Sequence, residues 1–247
     1  MKISTYNIWD NEAGMPFRMQ QLLDEIMLID ADILCLQEVA SWQLHTKIAS
    51  ICNYKYAHYH ERANLSVMCK TCGEPIKNYD FGSAHNIQFR GKSLNVVNVH
   101  LPWESILQRE KTIVEIAAHT VSHKNDYKFL LGDFNSSPES SVHRFLTNQQ
   151  SLLSQDAYFF DLAESYADVS NTLPQATLNF RLNPRWGQIQ PSNTIEVNQR
   201  CDWIMLQNPY PANLPELKSF TVFGMKVAKE TNLSASDHYG VVADLNI

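Results

Sequence analysis

The chain has 247 residues, of which 44% are hydrophobic and 19% charged, so it can bury a large core and is not globally disordered. A net charge of −6 argues against binding nucleic acid through a generally basic surface, but it permits a local site. No apolar run is long enough to cross a bilayer, and the N-terminus lacks the apolar region of a secretory signal. We therefore expect a cytoplasmic protein without a membrane anchor, monomeric, with one domain over residues 1–247.

Strand-like and helix-like patterns alternate along the chain. Residues 2–9 alternate like a strand, and residues 17–29 have the apolar spacing of a helix. Later strands are predicted at 32–39, 65–70, 86–90, 94–101, 128–135, 201–206, 219–224 and 240–247, and helices at 104–122 and 141–147. The polar residues 171–199 are predicted to form a long hairpin or loop. This mixed α/β pattern predicts two sheets packed face to face with helices outside.

The stretch "KFLLGDFNSSPES", residues 128–140, starts as a buried strand and then places Asp133 and Asn135 at its end. Turn chemistry explains its second half, because Ser137 can cap the next helix with Pro138 at the first helical position. It does not explain the Asp-x-Asn pair, since other turn residues would serve as well.

Similar polar residues stand at or beside the ends of other predicted strands. Any one of them could be a turn, surface or capping residue. Together they indicate one site assembled from several segments. The full set is Asn7, Glu38, His100, Asp133, Asn135, Asp202, Asp237 and His238.

Six motifs carry a family resemblance over nearly the whole chain. They are "TYNIW" (5–9), "LQEV" (36–39), "NVHL" (98–101), "GDFN" (132–135), "RCDWIML" (200–206) and "SDHYGV" (236–241). In this order the set resembles the endonuclease/exonuclease/phosphatase superfamily, the deoxyribonuclease I-like metal-dependent phosphodiesterases. The resemblance implies a four-layer αββα sandwich with the site at one edge of the two sheets.

Carboxylate and amide oxygens without thiolates select a hard cation, so Mg²⁺ or Mn²⁺ is the expected cofactor. Glu38 is the predicted principal ligand, and Asn7 and Asp237 are expected to complete the sphere directly or through water. The resemblance implies hydrolysis of a phosphodiester or phosphomonoester. The substrate is expected to be a nucleic acid or a small phosphodiester.

By the same resemblance, Asp133 orients or deprotonates the attacking water, and Asn135 donates a hydrogen bond to the phosphoryl group. His100 and His238 would donate to its non-bridging oxygens, and Asp202 would hold His238 in one tautomer. A rival assignment makes the Asp202–His238 pair the general base and Asp133 a ligand or orienter. The sequence leaves both open.

Other possibilities remain beside this one. A binding module of the same fold that lost its chemistry would show gaps among the eight positions. Cys69 and Cys72 have the spacing of half a zinc site or a redox motif, but a turn between strands is the preferred interpretation. Additional candidates near the site are Thr177, Arg109, Trp103 and Trp186, of which Trp186 could stack on a base or cover the hairpin.

Overall fold

A computed structural model of the chain, which describes residues 1–189 and 194–247, contains two six-stranded sheets packed face to face. The first sheet has the order β11-β12-β1-β2-β4-β3. Its strands are β1 (Lys2–Asn7), β2 (Ile33–Gln37), β3 (Tyr56–His60), β4 (Leu65–Cys69), β11 (Glu216–Phe223) and β12 (Gly240–Asn246).

The second sheet has the order β5-β6-β7-β8-β10-β9. Its strands are β5 (Cys72–Tyr79), β6 (Gly82–Phe89), β7 (Lys92–His100), β8 (Tyr127–Asp133), β9 (Phe159–Asp161) and β10 (Asp202–Gln207). The helices are α1 (Phe17–Ile29), α2 (Trp42–Ile51), α3 (Ile106–Ser122), α4 (Ser141–Leu146), α5 (Leu162–Ser170) and α6 (Pro184–Ile189).

Three buried apolar clusters hold the layers together. One lies between the two sheets and includes Ile33, Val96 and Phe129. The second packs α1 and α2 on the first sheet, and the third packs α3 and α4 on the second. Burial of apolar area on both faces of each sheet is the main source of stability in such layers. The predicted αββα sandwich is confirmed.

The strand pairing explains why polar strand ends meet at one edge. β1 and β2 are parallel, and so are β7 and β8, so Asn7 pairs with Gln37 and His100 with Asp133 at their carboxyl ends. β10 runs antiparallel to β8, which places the first residue of β10, Asp202, beside Asp133. Each sheet therefore delivers side chains from several segments to the same edge.

Gly132 makes the approach of β7 and β8 possible at this edge. Its φ is +143°, and a Cβ atom added there would lie 2.0 Å from the carbonyl oxygen of Val99. Only glycine fits such a backbone position. The glycine that interrupts the apolar run therefore allows the strand to end in Asp133.

A buried amide pair joins the two sheets beneath the edge. Gln37 Nε2 donates to Asn98 Oδ1 at 2.6 Å, across the interface between β2 and β7. Asn98 Nδ2 donates in turn to the carbonyls of Leu36 and Ser66 at 2.9 and 3.0 Å. Because both amides are completely buried, their hydrogen bonds set how the sheets align.

The structure confirms the short helix predicted at 141–147 but corrects its predicted cap, Ser137 with Pro138 at the first helical position. Helix α4 begins at Ser141 and is capped by Ser140, whose side chain accepts from the His143 backbone N–H. Ser137 instead precedes a turn, in which its carbonyl accepts from the Ser140 N–H at 3.0 Å. Ser140 follows the capping rule that predicted Ser137, so the observed cap lies three residues later in the chain.

Two further features of the sequence have a place in the structure. Cys69 and Cys72 are free thiols at the facing ends of β4 and β5, as a turn requires. Of the polar segment 171–199, residues 190–193 lie outside the described residues; the rest is mostly loop, with α6 and an isolated bridge between Leu178 and Gln199. Among the described residues, no helix has the length and apolar character needed to span a membrane.

Removing the inter-sheet amide should weaken the fold measurably. We expect Asn98→Ala to lower the free energy of unfolding by about 3 kcal/mol, because it leaves buried polar groups without partners. Asn95→Ala is the matched control: Asn95 lies on the same strand, is also buried, and its side-chain atoms have no partner within the described chain. Urea unfolding compares the two variants. Equal losses would contradict the role assigned to Asn98.

Buried histidines beside β3 and β6 should make stability depend on pH. Burial, together with the smaller effects of the nearby His58 and His60, lowers the pKa of His85 to about 3. Below about pH 6.5 this histidine is therefore protonated in the unfolded state but stays neutral in the folded state. The free energy of unfolding consequently decreases as the pH falls. We expect wild type to lose about 2 kcal/mol more than His85→Gln between pH 7.5 and 5, measured by urea unfolding. Parallel losses in the two proteins would refute this.

Candidate functional site at the sheet edge

Asn7 links two carboxylates from different sheets. Its Nδ2 donates to Glu38 Oε1 at 2.9 Å and to Asp133 Oδ2 at 3.0 Å. Its Oδ1 accepts from the Trp9 backbone N–H at 3.0 Å. As oriented, the amide presents its NH₂ group to the carboxylates, so direct metal ligation would need the amide to turn over. The ligand role of Asn7 stays a prediction.

Glu38 is the more open of the two carboxylates. It has a φ of +57°, immediately after β2, and its second oxygen accepts from the Asp10 backbone N–H at 2.9 Å. Its side chain is 28% exposed, whereas that of Asp133 is 1% exposed. Glu38 therefore offers a carboxylate oxygen to a solvent-accessible position.

His100 faces both carboxylates from the end of β7. Its Nε2 lies 3.9 Å from Glu38 Oε1 and 3.7 Å from Asp133 Oδ2. These distances exceed hydrogen-bond length, which leaves Nε2 free to serve a ligand placed between them. With a side chain that is 24% exposed, His100 lies on the open side of the site.

His238 approaches Asp133 from the other side and is held by a buried carboxylate. Its Nδ1 lies 3.0 Å from Asp202 Oδ2, and its Nε2 lies 3.8 Å from Asp133 Oδ2. Burial lowers the pKa of His238, but the carboxylates of Asp202 and Asp133 outweigh it and raise the pKa well above its usual value. The protonated ring is thus favoured, with Nε2 directed at the centre of the site.

Asn135 and Asp237 complete the predicted set. Asn135 has a φ of +45°; its backbone N–H donates to Asp133 Oδ1 at 2.8 Å and its Nδ2 to the Leu101 carbonyl at 2.8 Å. Burial is the main cause that raises the pKa of Asp237, and the charge of nearby Glu38 adds to it. All eight predicted residues therefore lie at one edge, and their individual roles stay predictions.

The donor set fits a hard divalent cation. Glu38, Asp133 and Asp237 bring three carboxyl groups to this edge, and Asp202 Oδ1 is buried with no hydrogen-bond partner among the described residues. Asp133, Asp202 and His238 each offer a ligand-type atom within 4.8 Å of the others. This trio differs from the predicted ligands. Because Asp202 is fully buried and Glu38 is partly exposed, a cation from solvent reaches the Glu38 carboxylate more readily.

A second group of ligand-type residues lies away from this edge. His143, Asp161 and Glu164 also have ligand atoms within 4.8 Å of one another. The guanidinium of Arg200 contacts Asp161 Oδ2 at 2.6 Å and Glu164 Oε1 at 2.9 Å. Arg200 already neutralises these carboxylates, so this group is a partly buried ion-pair network and not a metal site.

The additional sequence candidates have structural positions. Thr177 is fully buried, and its hydroxyl accepts from the backbone N–H groups of Cys201 and Asp202 at 3.1 and 3.2 Å. Arg109 donates to the carbonyls of Pro102 and Trp103, which fixes the loop after His100. Trp103 is 71% exposed.

Two contacts favour the covering role of Trp186 over base stacking. Its ring packs against Phe180, and its Nε1 donates to the Asp237 carbonyl at 3.0 Å. Sequence reasoning missed Asn183, Arg185 and Arg18, which are buried and bind the backbone near Asp237. The only signal for Asn183 and Arg185 was their place in a polar segment, and Arg18 gave none beyond its place in the predicted helix 17–29.

A groove opens directly beside the site. It has a volume of about 850 Å³ and begins at Asn135. Its walls come from the turn after β8, the start of α4 and the segment before β10, with both Arg109 and Arg200 in the lining. This space is large enough for substrate groups well beyond a single phosphate.

Known structures share this architecture. A structure of D. rerio TDP2 complexed with single strand DNA product has a TM-score of 0.77 and 15% identity, covering 100% of this chain and 99% of that one. Truncated Caenorhabditis elegans TDP2 has a TM-score of 0.74 and 17% identity, covering 100% and 98%. At such identities the likeness shows the fold alone.

Sequence comparison adds a curated relative and a family. The chain is 25% identical, over 253 aligned positions, to the probable CCR4-Not complex 3'-5'-exoribonuclease subunit Ccr4 of Vairimorpha ceranae (strain BRL01). That match covers 72% of this chain and 52% of the relative, so the chain spans about half the relative's length. The model of the Endonuclease/Exonuclease/phosphatase family matches residues 4–238. The protein therefore belongs to the Endonuclease/Exonuclease/phosphatase family.

Proposed function

We propose that the protein is a Mg²⁺-dependent phosphodiesterase that cleaves a nucleic acid strand. The observation that carries the proposal is the convergence of Glu38, Asp133, His100 and His238 at one open edge, with a groove of about 850 Å³ beside them. The names of the similar proteins, an exoribonuclease subunit and a structure holding single strand DNA product, support this substrate class.

The residues divide the chemistry between them. Glu38 and Asp237 would hold the cation, which supplies charge neutralisation at the phosphoryl group when bound. Asp133 would orient the attacking water and accept its proton. His100 and His238 would donate from Nε2 to the non-bridging oxygens, where negative charge grows in the transition state.

Asp202 and Asn135 would support this chemistry in different ways. Asp202 accepts from His238 Nδ1, which leaves Nε2 as the atom that faces the substrate. Asn135 uses one N–H on the Leu101 carbonyl, and its second N–H is available to the phosphoryl group. In the rival assignment His238 is the base, and its Nε2 faces the same position.

Glu38→Gln tests the metal site and the activity together. We expect hydrolysis of bis-p-nitrophenyl phosphate, and of labelled single-stranded DNA or RNA, to require Mg²⁺ and to fall more than about 100-fold in this variant. The neutral amide has the same shape but loses the charge that holds the cation. Glu12→Gln, an exposed change on the neighbouring loop, serves as the control and should retain activity. Full turnover by Glu38→Gln, or by wild type in EDTA, would overturn the proposal.

Asp202→Asn tests the support given to His238. Because Asp202 is fully buried, it cannot touch the substrate, and we expect kcat to fall about 100-fold with little change in KM. The matched control is Glu25→Gln, since Glu25 is a buried carboxyl group on α1 that accepts from the Tyr6 hydroxyl at 3.3 Å and does not line the groove. Steady-state kinetics should show normal kcat for the folded control. If both variants lose kcat equally, the assignment of Asp202 fails.

A further inference from the structure

The loop that carries Asp237 and His238 is held by side chains rather than by a sheet. Residues 234–236 are fully buried, and the loop ends just before β12. Its four consecutive carbonyls, from Ser234 to Asp237, each accept a side-chain hydrogen bond. Buried carbonyls without such partners would be costly, so these donors determine the path of the loop.

Three of the four donors come from one short segment around α6. Arg185 Nε donates to the Ser234 carbonyl at 2.7 Å. Asn183 Nδ2 donates to the carbonyls of Ser236 and Asp237 at 2.9 and 3.0 Å, and Trp186 Nε1 donates to that of Asp237 at 3.0 Å. We call Asn183, Arg185 and Trp186 the α6 clamp.

The fourth donor, Arg18, joins the same loop to the strand end that carries Asn7. Its Nε donates to the Ala235 carbonyl at 2.7 Å, and its other nitrogens bind carbonyls of residues 8, 9 and 11. The guanidinium carbons of Arg185 and Arg18 lie 4.6 and 5.3 Å from the centre of the Trp9 ring. Both arginines are at least nine-tenths buried, so their charges act on the site at low screening.

We propose that Arg185, through the α6 clamp, is a positioning residue that fixes Asp237 and His238 for cation binding and catalysis. The clamp touches neither cation nor substrate; it acts through the loop backbone, and the Arg185 charge attracts the Asp237 carboxylate. The inference rests on the proposed function and gives the polar segment 171–199 a role in it. Outer groups that orient ligands in this way typically contribute 10–100-fold to affinity or activity.

The experiment compares Arg185→Ala with Leu94→Ala, which removes a buried core side chain at the far end of β7. We expect Arg185→Ala to lower kcat about 10–100-fold and Mn²⁺ affinity about tenfold, measured by kinetics and by electron paramagnetic resonance. Methylguanidine should restore part of the kcat, and Arg185→Lys should be less impaired. Leu94→Ala should lower the melting temperature while kcat of the folded protein stays normal.

A merely structural role predicts a different result. If Arg185→Ala is destabilised but keeps wild-type kcat and Mn²⁺ affinity, the positioning role is wrong. Should Arg185→Ala not fold, Trp186→Phe decides, because it removes the N–H donated to the Asp237 carbonyl and keeps an aromatic ring against Phe180. The proposal requires a smaller loss of kcat and Mn²⁺ affinity in this variant, and no loss overturns it. If wild type hydrolyses no phosphoester, the proposed function fails, and the Mn²⁺ measurements still decide the positioning role.

Discussion

The alignment of the two sheets is the constraint on which the site depends. Neither sheet carries a complete set of groups: Asn7 and Glu38 come from the first, and His100 and Asp133 from the second. Apolar packing between sheets is not directional, so it does not by itself fix their relative position to the accuracy of a hydrogen bond. The hydrogen bond between the Gln37 and Asn98 side chains and the two hydrogen bonds donated by Asn7 are directional, and they fix the relative position of the sheets. Because an unpaired buried amide is costly, slippage between the sheets is penalised where the site forms.

Electrostatics explains why the same edge suits a cation. The buried carboxylates of Asp133 and Asp202 lie close together with the ring of His238, and no ion pair joins them to an arginine among the described residues, whereas Arg200 pairs with the second cluster. Arg18 and Arg185 stand behind Asp237 and bind backbone carbonyls. A divalent cation would balance the remaining negative charge, and the same charge would then polarise a phosphate. The sheet-edge carboxylates are thus suited to a cation, whereas the similar residues around Arg200 form ion pairs.

Much of this could be predicted from the sequence because the signal lay in strand ends. Apolar runs predicted the central strands, and polar residues at or beside the ends of these runs predicted the eight residues of the edge. The supporting groups could not be predicted. Gln37 and Asn98 are recognisable only once the sheets face each other, and the α6 clamp lies in a polar segment without periodicity. Helix α2 went unpredicted although Ser41 caps it, because its buried face includes His45 and its N-terminal Trp42 is exposed.

The central claim is that a single hard cation binds where the two sheets meet. Anomalous diffraction from crystals grown with Mn²⁺ tests it most directly, since the metal position is measured without reference to activity. The account predicts one strong peak in contact with the Glu38 carboxylate, lost in Glu38→Gln crystals. A peak at His143, Asp161 and Glu164 instead, or one at the sheet edge that survives the Glu38 substitution, would contradict it.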